Sequence, residues 1–458
     1  MRRVQSRALR PGWADEPPPG RRGLLDRLRR AGRPSALVTT GNLVAAQLVT
    51  GAASLAINAM AARSMGPAGR GSLALLLQLT YLANMLAMAG TDRAYPATAP
   101  LGRDIRQTSA DALRLVISPG LLVLLAAAPI AYALGGNGRG TGLVTVIGCT
   151  LTIGALLTAA ALRTGAAAAG VTRPYVLATV TGQAALMVSA ALLTLAGTGS
   201  PQTWLLAYGA ALAVGPMVAW TLLRRLRPAA APPADGLVPA RRLGLRLLPA
   251  AAASLVVLRA DRLLLPWLGS YEQLGLYIVV ATVAEFAIWP VQNWIDVQSP
   301  RWHQRFLAGE LRRTGPLLAA AGYGVVSGLL LLAAGRLLVV PVFGSEYRES
   351  TALLVPLAIA TTCYSVSRAA IGLGVAAGRA RGALAADIPA MVVAVGAYLL
   401  LIPHYGAMGA AVGSAVAYGV GAVLALLLAA RIPHGPSPDR DAPAAERSET
   451  PPSGRLTR

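Results

Sequence analysis

Charge is scarce in this sequence: Asp, Glu, Lys and Arg make up 13% of its 458 residues, about half the ~25% of a soluble domain. Lysine is missing altogether, so all 41 basic residues are arginines. Only two cysteines occur, Cys149 and Cys363, both inside apolar stretches, which argues against a disulfide scaffold and a thiolate metal site. The three histidines, His303, His404 and His434, lie far apart in loops or the tail, and nothing positions a Ser-His-acid triad. No Gly-rich phosphate loop of the nucleotide-hydrolysing type is present, which argues against direct nucleotide-driven pumping, and no cofactor motif occurs.

Apolar length is what the chain has in abundance. Hydrophobic residues reach 55% and the mean hydropathy is +0.56. Runs of ~20 apolar residues, each long enough to cross a bilayer, fall at about 37–62, 71–92, 112–134, 141–162, 174–196 and 203–223. A second set falls at about 244–268, 274–296, 316–339, 350–376, 382–402 and 406–430. The expectation is an all-α polytopic membrane protein with about twelve transmembrane helices. Residues 1–36 form a basic, Pro-rich tail, in which 23–30 reads either as a short surface helix or as unstructured basic chain, and 431–458 a polar, disordered tail. The first apolar run starts too far from the first charges for a cleaved secretory signal.

Arginine placement orients these spans, because cytoplasmic loops hold the excess of basic residues. With the N-terminus inside, the interior receives 34 arginines and the exterior seven: Arg63, Arg70, Arg139, Arg259, Arg262, Arg336 and Arg348. The formal charge of +22 is then explained by topology and attraction to anionic membrane lipids, not by nucleic-acid binding. Both termini are expected in the cytoplasm.

The Arg- and Pro-rich stretch 224–243 divides the spans into six (37–223) and six (244–430). Met65-Gly66 followed by Gly71 recurs as Leu268-Gly269 followed by Gly275, and Ala169-Gly170 with Arg173 recurs as Ala377-Gly378 with Arg381. Offsets near 204 and 208 residues make the halves duplicated, pseudo-symmetric six-helix bundles, and such repeats flank a central path opened alternately to each side.

An ordered set of short motifs runs along this frame: Ala62-Arg63-Ser64-Met65-Gly66-Pro67-Ala68-Gly69-Arg70-Gly71, then Asp261-Arg262, Leu268-Gly269 and Gly275-Leu276-Tyr277. Phe343-Gly344-Ser345-Glu346-Tyr347 and Tyr405-Gly406-Ala407-Met408-Gly409 complete it. The set resembles the bacterial polysaccharide flippases of the multidrug/oligosaccharidyl-lipid/polysaccharide exporter superfamily, over residues 37–430. That resemblance implies a non-enzyme in the bacterial cytoplasmic membrane that moves a polyprenyl-pyrophosphate-linked oligosaccharide outward by alternating access. Its partners would be the lipid-linked oligosaccharide, membrane lipids and other polysaccharide-assembly proteins. A lipid II flippase of the same superfamily usually has more spans than the twelve counted here. The alternatives are a multidrug/cation antiporter of the superfamily or a membrane glycan polymerase, although no large exterior loop carries charged groups for polymerase chemistry.

Ionisable residues at membrane depth mark functional sites. Arg259 and Arg262 share one face of the seventh span, with Asp261 between them, and Arg63 occupies the comparable region of the first repeat. Arg368 lies in the tenth span, with Arg163 as its approximate counterpart. Guanidinium groups bind phosphate bidentately, so Arg259, Arg262, Arg63 and Arg368 are candidate pyrophosphate ligands, with snorkelling to the head groups as the competing role. The eighth span carries Thr282, Glu285, Trp289, Gln292 and Asp296 at spacings of three and four, hence on one face. The first carries Gln47, Gly51, Ser54 and Asn58 likewise. Gln47, Ser54, Asn58, Trp289 and Gln292 are candidate cavity-lining residues. Glu285, near mid-membrane, and Asp261 are candidates for ion coupling, with an arginine of the seventh span as a partner for Glu285. Asp92, Arg93 and Asp387 read as hinge or salt-bridge positions near the inner surface.

The arginine count generates a direct test. A cysteine introduced at Gly199 is expected to react with an impermeant thiol reagent on whole cells, and one at Ala230 to stay unreactive until the membrane is opened; the reverse pattern would invert the topology.

Overall fold

The computed structural model describes residues 36–99, 104–136, 138–169, 171, 173–225, 237–379 and 381–432. The basic tail, most of the 224–243 stretch and nearly all of the C-terminal tail lie outside them. The described residues are helical with no strands: α1 (Ala36–Met88), α2 (Thr91–Thr98), α3 (Ile105–Leu134), α4 (Arg139–Ala169), α5 (Arg173–Leu195) and α6 (Pro201–Arg225) form the first half. The second comprises α7 (Leu237–Leu268), α8 (Tyr271–Leu307), α9 (Thr314–Phe343), a 3₁₀ segment (Ser345–Leu353), α10 (Leu354–Ala376) and α11 (Arg381–Ala430). Residues up to Thr50 group as one unit and those from Gly51 as another; the contacts below belong to the second.

Among the described residues, nine stretches are long and apolar enough to cross a membrane. Two of these, Thr50–Thr98 with 49 residues and Leu384–Ala430 with 47, would extend ~70 Å as straight helices, twice the ~30 Å of a hydrocarbon core. Each breaks at a glycine whose backbone an L side chain rarely adopts: Gly66 (φ 65°, ψ −179°) and Gly406 (φ 54°, ψ −128°). Pro67 follows the first break and, lacking an N–H, opens the next helix without an unmet donor. Each long stretch therefore crosses twice. α7, with 32 residues, is long enough to cross but carries Arg259, Asp261 and Arg262 in its second half. Twelve crossings result, as the apolar runs require.

The halves repeat the same neighbours. α3 packs on α4, and α4 and α5 on α6; α9 packs on α10, and α10 on α11. Small residues allow these approaches: a Cβ on Gly209 of α6 would lie 2.9 Å from the Thr152 nitrogen of α4, and one on Gly324 of α9 2.9 Å from Thr362 Cα of α10.

Across the halves, the two repeated turns pack on each other with a two-fold relation. A Cβ on Gly71 would lie 2.9 Å from the Gly275 nitrogen and would overlap the Tyr271 carbonyl; a Cβ on Gly275 would lie 3.0 Å from Pro67 Cα and would overlap the Pro67 carbonyl. Both residue pairs, 71 with 275 and 67 with 271, are 204 residues apart, so each half places the same position against the same backbone of the other. The surrounding core is shared: Ala62, Ala74 and Leu75 of the first half are buried with Leu265, Leu274, Tyr277, Phe343 and Tyr347 of the second. At the other end the halves meet again, where Gly90 packs on the backbone of Gly244 and α2 on α7.

A valine at Gly71 or Gly275 therefore has nowhere to put its side chain unless the turns part. Either substitution is expected to destabilise the closed arrangement by about 1–3 kcal/mol, as overpacking does, and by similar amounts because the contact is two-fold. The readout is a cysteine at the fully buried Leu274, in a protein with Cys149 and Cys363 replaced: unreactive alone, it should label once Gly71→Val is added.

Candidate functional site

α8 begins at the Ser270 N-cap, whose hydroxyl accepts from the Gln273 N–H at 3.1 Å. Fifteen residues on, Glu285 meets Arg259 and Arg262 in the second half of α7. Its Oε1 lies 2.8 Å from Arg259 Nη1 and 2.5 Å from Arg262 Nη2. Both approaches are ion pairs on the one oxygen. Arg262 Nε is buried without a partner.

Asp261, 4% exposed, faces a different set. Its Oδ1 accepts from the Arg262 backbone N–H at 2.8 Å and its Oδ2 from the Tyr277 hydroxyl at 2.5 Å. The Tyr277 oxygen lies 3.4 Å from Ser414 Oγ, itself 2.9 Å from the Tyr398 hydroxyl. A polar chain thus links α7, α8 and both arms of α11. Beside it is a cavity of about 30 Å³ bordered by Asp261, Arg262, Glu285, Ser414 and Tyr418, room for one or two waters on the scale of ~15 Å³ needed for one.

Arg368 of α10 belongs to a second cluster. Its Nη1 donates to Asp387 Oδ2 at 3.3 Å and its Nη2 to Oδ1, a bidentate pair. The same guanidinium lies 5.2 Å from the Tyr364 ring centre, a cation–π distance. Tyr364 packs edge-on against Tyr418 at 5.4 Å, which brings this cluster to the rim of the cavity beside Glu285.

Arg63 lies apart from both. Exposed at the end of the first crossing, it donates through Nε to the Val342 carbonyl at 2.8 Å and through Nη2 to that of Pro341. Those carbonyls end α9 and lack helical partners, and a cation there opposes the helix dipole. The Tyr347 hydroxyl donates to the Ala62 carbonyl at 3.2 Å, so the two residues together fasten the first half to the α9–α10 connection.

On α1, Ser54 Oγ accepts from Gln183 Nε2 of α5 at 3.0 Å, and Asn58 donates to the Ser54 carbonyl at 3.0 Å. The Asn58 oxygen accepts from Arg70 Nη2. The side chains of Gln47 and Asp296 lie outside the described residues. Trp289 is 39% exposed and packs edge-on against Phe286 at 5.0 Å; Gln292 is half-buried one turn further along α8.

The structure thus joins Arg259, Arg262, Asp261 and Glu285, sets Arg368 close by and Arg63 away, and adds Tyr277, Tyr398, Ser414 and Arg70, which the sequence reading did not assign to the site. Tyr277 stood within a recognised motif, but nothing in a sixteen-residue separation announces its bond to Asp261. The Arg368–Asp387 pair yields a stability test. Asp387→Ala leaves a buried guanidinium without its carboxylate and is expected to cost about 3–5 kcal/mol; adding Arg368→Leu should restore most of it, as read by thermal unfolding in detergent.

No protein-family model matches the chain, and no curated protein does. Solved structures do. An inward-facing multidrug resistance MATE family transporter of the MOP superfamily matches with a TM-score of 0.64 at 15% identity, covering 82% of this chain and 93% of its own. The lipid II flippase MurJ, in an inward closed conformation, matches with 0.63 at 10% identity, covering 84% of this chain and 86% of its own. An outward-facing MATE family transporter matches with 0.54 at 15% identity, covering 84% and 92%. The chain has the fold that these transporters share.

Proposed function

We propose that this protein is a flippase that moves a polyprenyl-pyrophosphate-linked oligosaccharide from the inner to the outer leaflet of a bacterial cytoplasmic membrane, for surface-polysaccharide assembly. The observation that carries the reading is the pair Arg259 and Arg262, held at membrane depth on one oxygen of Glu285, in a fold similar to those of a MATE transporter and MurJ. The motif set from Arg63 to Gly409 supports the polysaccharide branch, and the arginine bias supports cytoplasmic termini.

In this mechanism the head group enters between the six-helix halves while the polyprenyl tail stays in the bilayer. Pyrophosphate oxygens take N–H donors of Arg259 and Arg262, a geometry suited to the planar guanidinium fork. Glu285 is displaced from its arginines as the anion arrives, and takes up a proton or a cation in exchange. Asp261 holds Arg262 in register through the backbone N–H next to it. The halves then part at the Gly71–Gly275 turns and close at the Gly90–Gly244 contact. Movement of a charge with the cycle would draw ~2.3 kcal/mol per elementary charge per 100 mV from the membrane potential.

Flipping of lipid-linked oligosaccharide in reconstituted vesicles is the test. Arg259→Ala is expected to slow it about tenfold or more, the scale of one charged hydrogen bond, and Arg259→Lys to slow it less, at equal amounts of inserted protein. Glu285→Gln should still insert but lose acceleration by an imposed proton or sodium gradient. Normal flipping by Arg259→Ala would overturn the anion site, and gradient-driven flipping by Glu285→Gln would reduce Glu285 to a structural partner.

A further inference from the structure

Arg70 opens the second crossing directly beside Gly71. It is 5% exposed, and its Nε and Nη1 are buried with no hydrogen-bond partner. Its one bond goes to a neutral group, the Asn58 side-chain oxygen. Among the described residues it makes no ion pair; the side chains of Tyr347, Tyr208 and Tyr81 and the guanidinium of Arg262 lie nearby. Tyr81 and Tyr208 are bound to each other at 3.2 Å. Two acids lie at these turns, Glu346 against Gly66 and Glu272 next to Tyr271, and both are exposed. A guanidinium keeps its charge at any accessible pH, so a buried one calls for a counter-charge.

The internal repeat shows why none is supplied. Up to Gly66 and Gly269 the halves are 203 residues apart, and from Pro67 and Tyr271 on they are 204 apart, Ser270 being the extra residue. On that register Asn58 stands where the second half has Asp261, and Tyr81 stands where it has Glu285. The second half balances Arg259 and Arg262 with those two acids; the first half carries an amide and a phenol at both places, and its arginine is left uncompensated.

We propose that Arg70 is an anion-binding residue of the first half whose counter-charge is the ligand: a phosphate or pyrophosphate group, which Arg70 takes together with Arg262 from the opposite half. The assignment rests on the flippase reading above for the identity of that group as the linker of the cargo. Parting of the Gly71 and Gly275 turns uncovers Arg70, so it receives the anion as that end opens and loses it as that end closes.

The experiment uses the full chain in lipid nanodiscs and measures binding of inorganic pyrophosphate, polyprenyl pyrophosphate and phosphatidylglycerol. Arg70→Gln and Asn58→Asp are each expected to weaken binding of both pyrophosphates about tenfold or more, the second by supplying inside the protein the carboxylate that the other half has. Arg70→Lys should weaken it less, and Asn58→Asp should raise the melting temperature. Unchanged pyrophosphate binding in Asn58→Asp overturns the proposal, whether or not Arg70→Gln folds. If only phosphatidylglycerol binding depends on Arg70, the site serves a bulk-lipid head group and the cargo assignment is overturned. Arg70-dependent pyrophosphate binding without any flipping of lipid-linked oligosaccharide would sink the flippase reading and leave the site standing; normal flipping with Arg70-independent binding does the opposite.

Discussion

An arginine cannot shed its charge to enter a membrane, and this one constraint organises the interior of the protein. A lysine or a carboxylate placed in low dielectric has the option of becoming neutral; a guanidinium has to be met by something. The chain has no lysine, and five of its described arginines are met in four different ways. Arg259 and Arg262 share a glutamate, Arg368 has an aspartate and an aromatic ring, Arg63 has the open carbonyls at a helix end, and Arg70 has a single amide oxygen. The degree of compensation sets the role. Arg368, paired through both terminal nitrogens, holds α10 to α11, and Arg63 holds the first half to the α9–α10 connection. Arg262 and Arg70 keep buried N–H groups without a partner among the described residues, and those are the groups we propose for the anion.

The second constraint is the way the halves touch. Glycine meets backbone on both sides of this two-fold contact, within a core of side chains that the halves share. The contact buries the arginine next to it and lies at one end of the helices that carry Glu285 and Asp261. In the proposed cycle, opening of that end would expose Arg70, and the charge cluster lies on the same two helices, α7 and α8. The opposite end is closed by a comparable approach of Gly90 to Gly244, so two small-residue contacts at the two ends frame the space between the halves.

Much of this architecture is legible along the chain, because a bilayer requires long apolar runs and the repeat carries its own register. The twelve runs, the break near Gly66 and its copy at Gly269 follow from apolar length and glycine position. The neighbourhood of Glu285 was legible for a similar reason: an acid at that depth needs a cation, and the adjacent crossing offers Arg259 and Arg262 on one face. The break at Gly406 was less visible, since a single glycine at positive φ turns the chain there with no loop to mark it.

What the sequence determined by itself was the number of crossings, the duplicated plan and the short supply of acids at depth, since each is a property of composition and periodicity. The partners were decided by the tertiary structure. Arg63 and Val342 are separated by 279 residues, Tyr277 and Ser414 by 137, and Gln183 and Ser54 by 129, and no local pattern encodes a meeting across such distances. Arginine placement in the sequence put Arg70 with the exterior loop residues, whereas packing of Gly71 against Tyr271 draws it under the turn. Whether a charged residue at the end of a helix is solvated or buried depends on what the other half lays over it, and only the folded pair of halves contains that information.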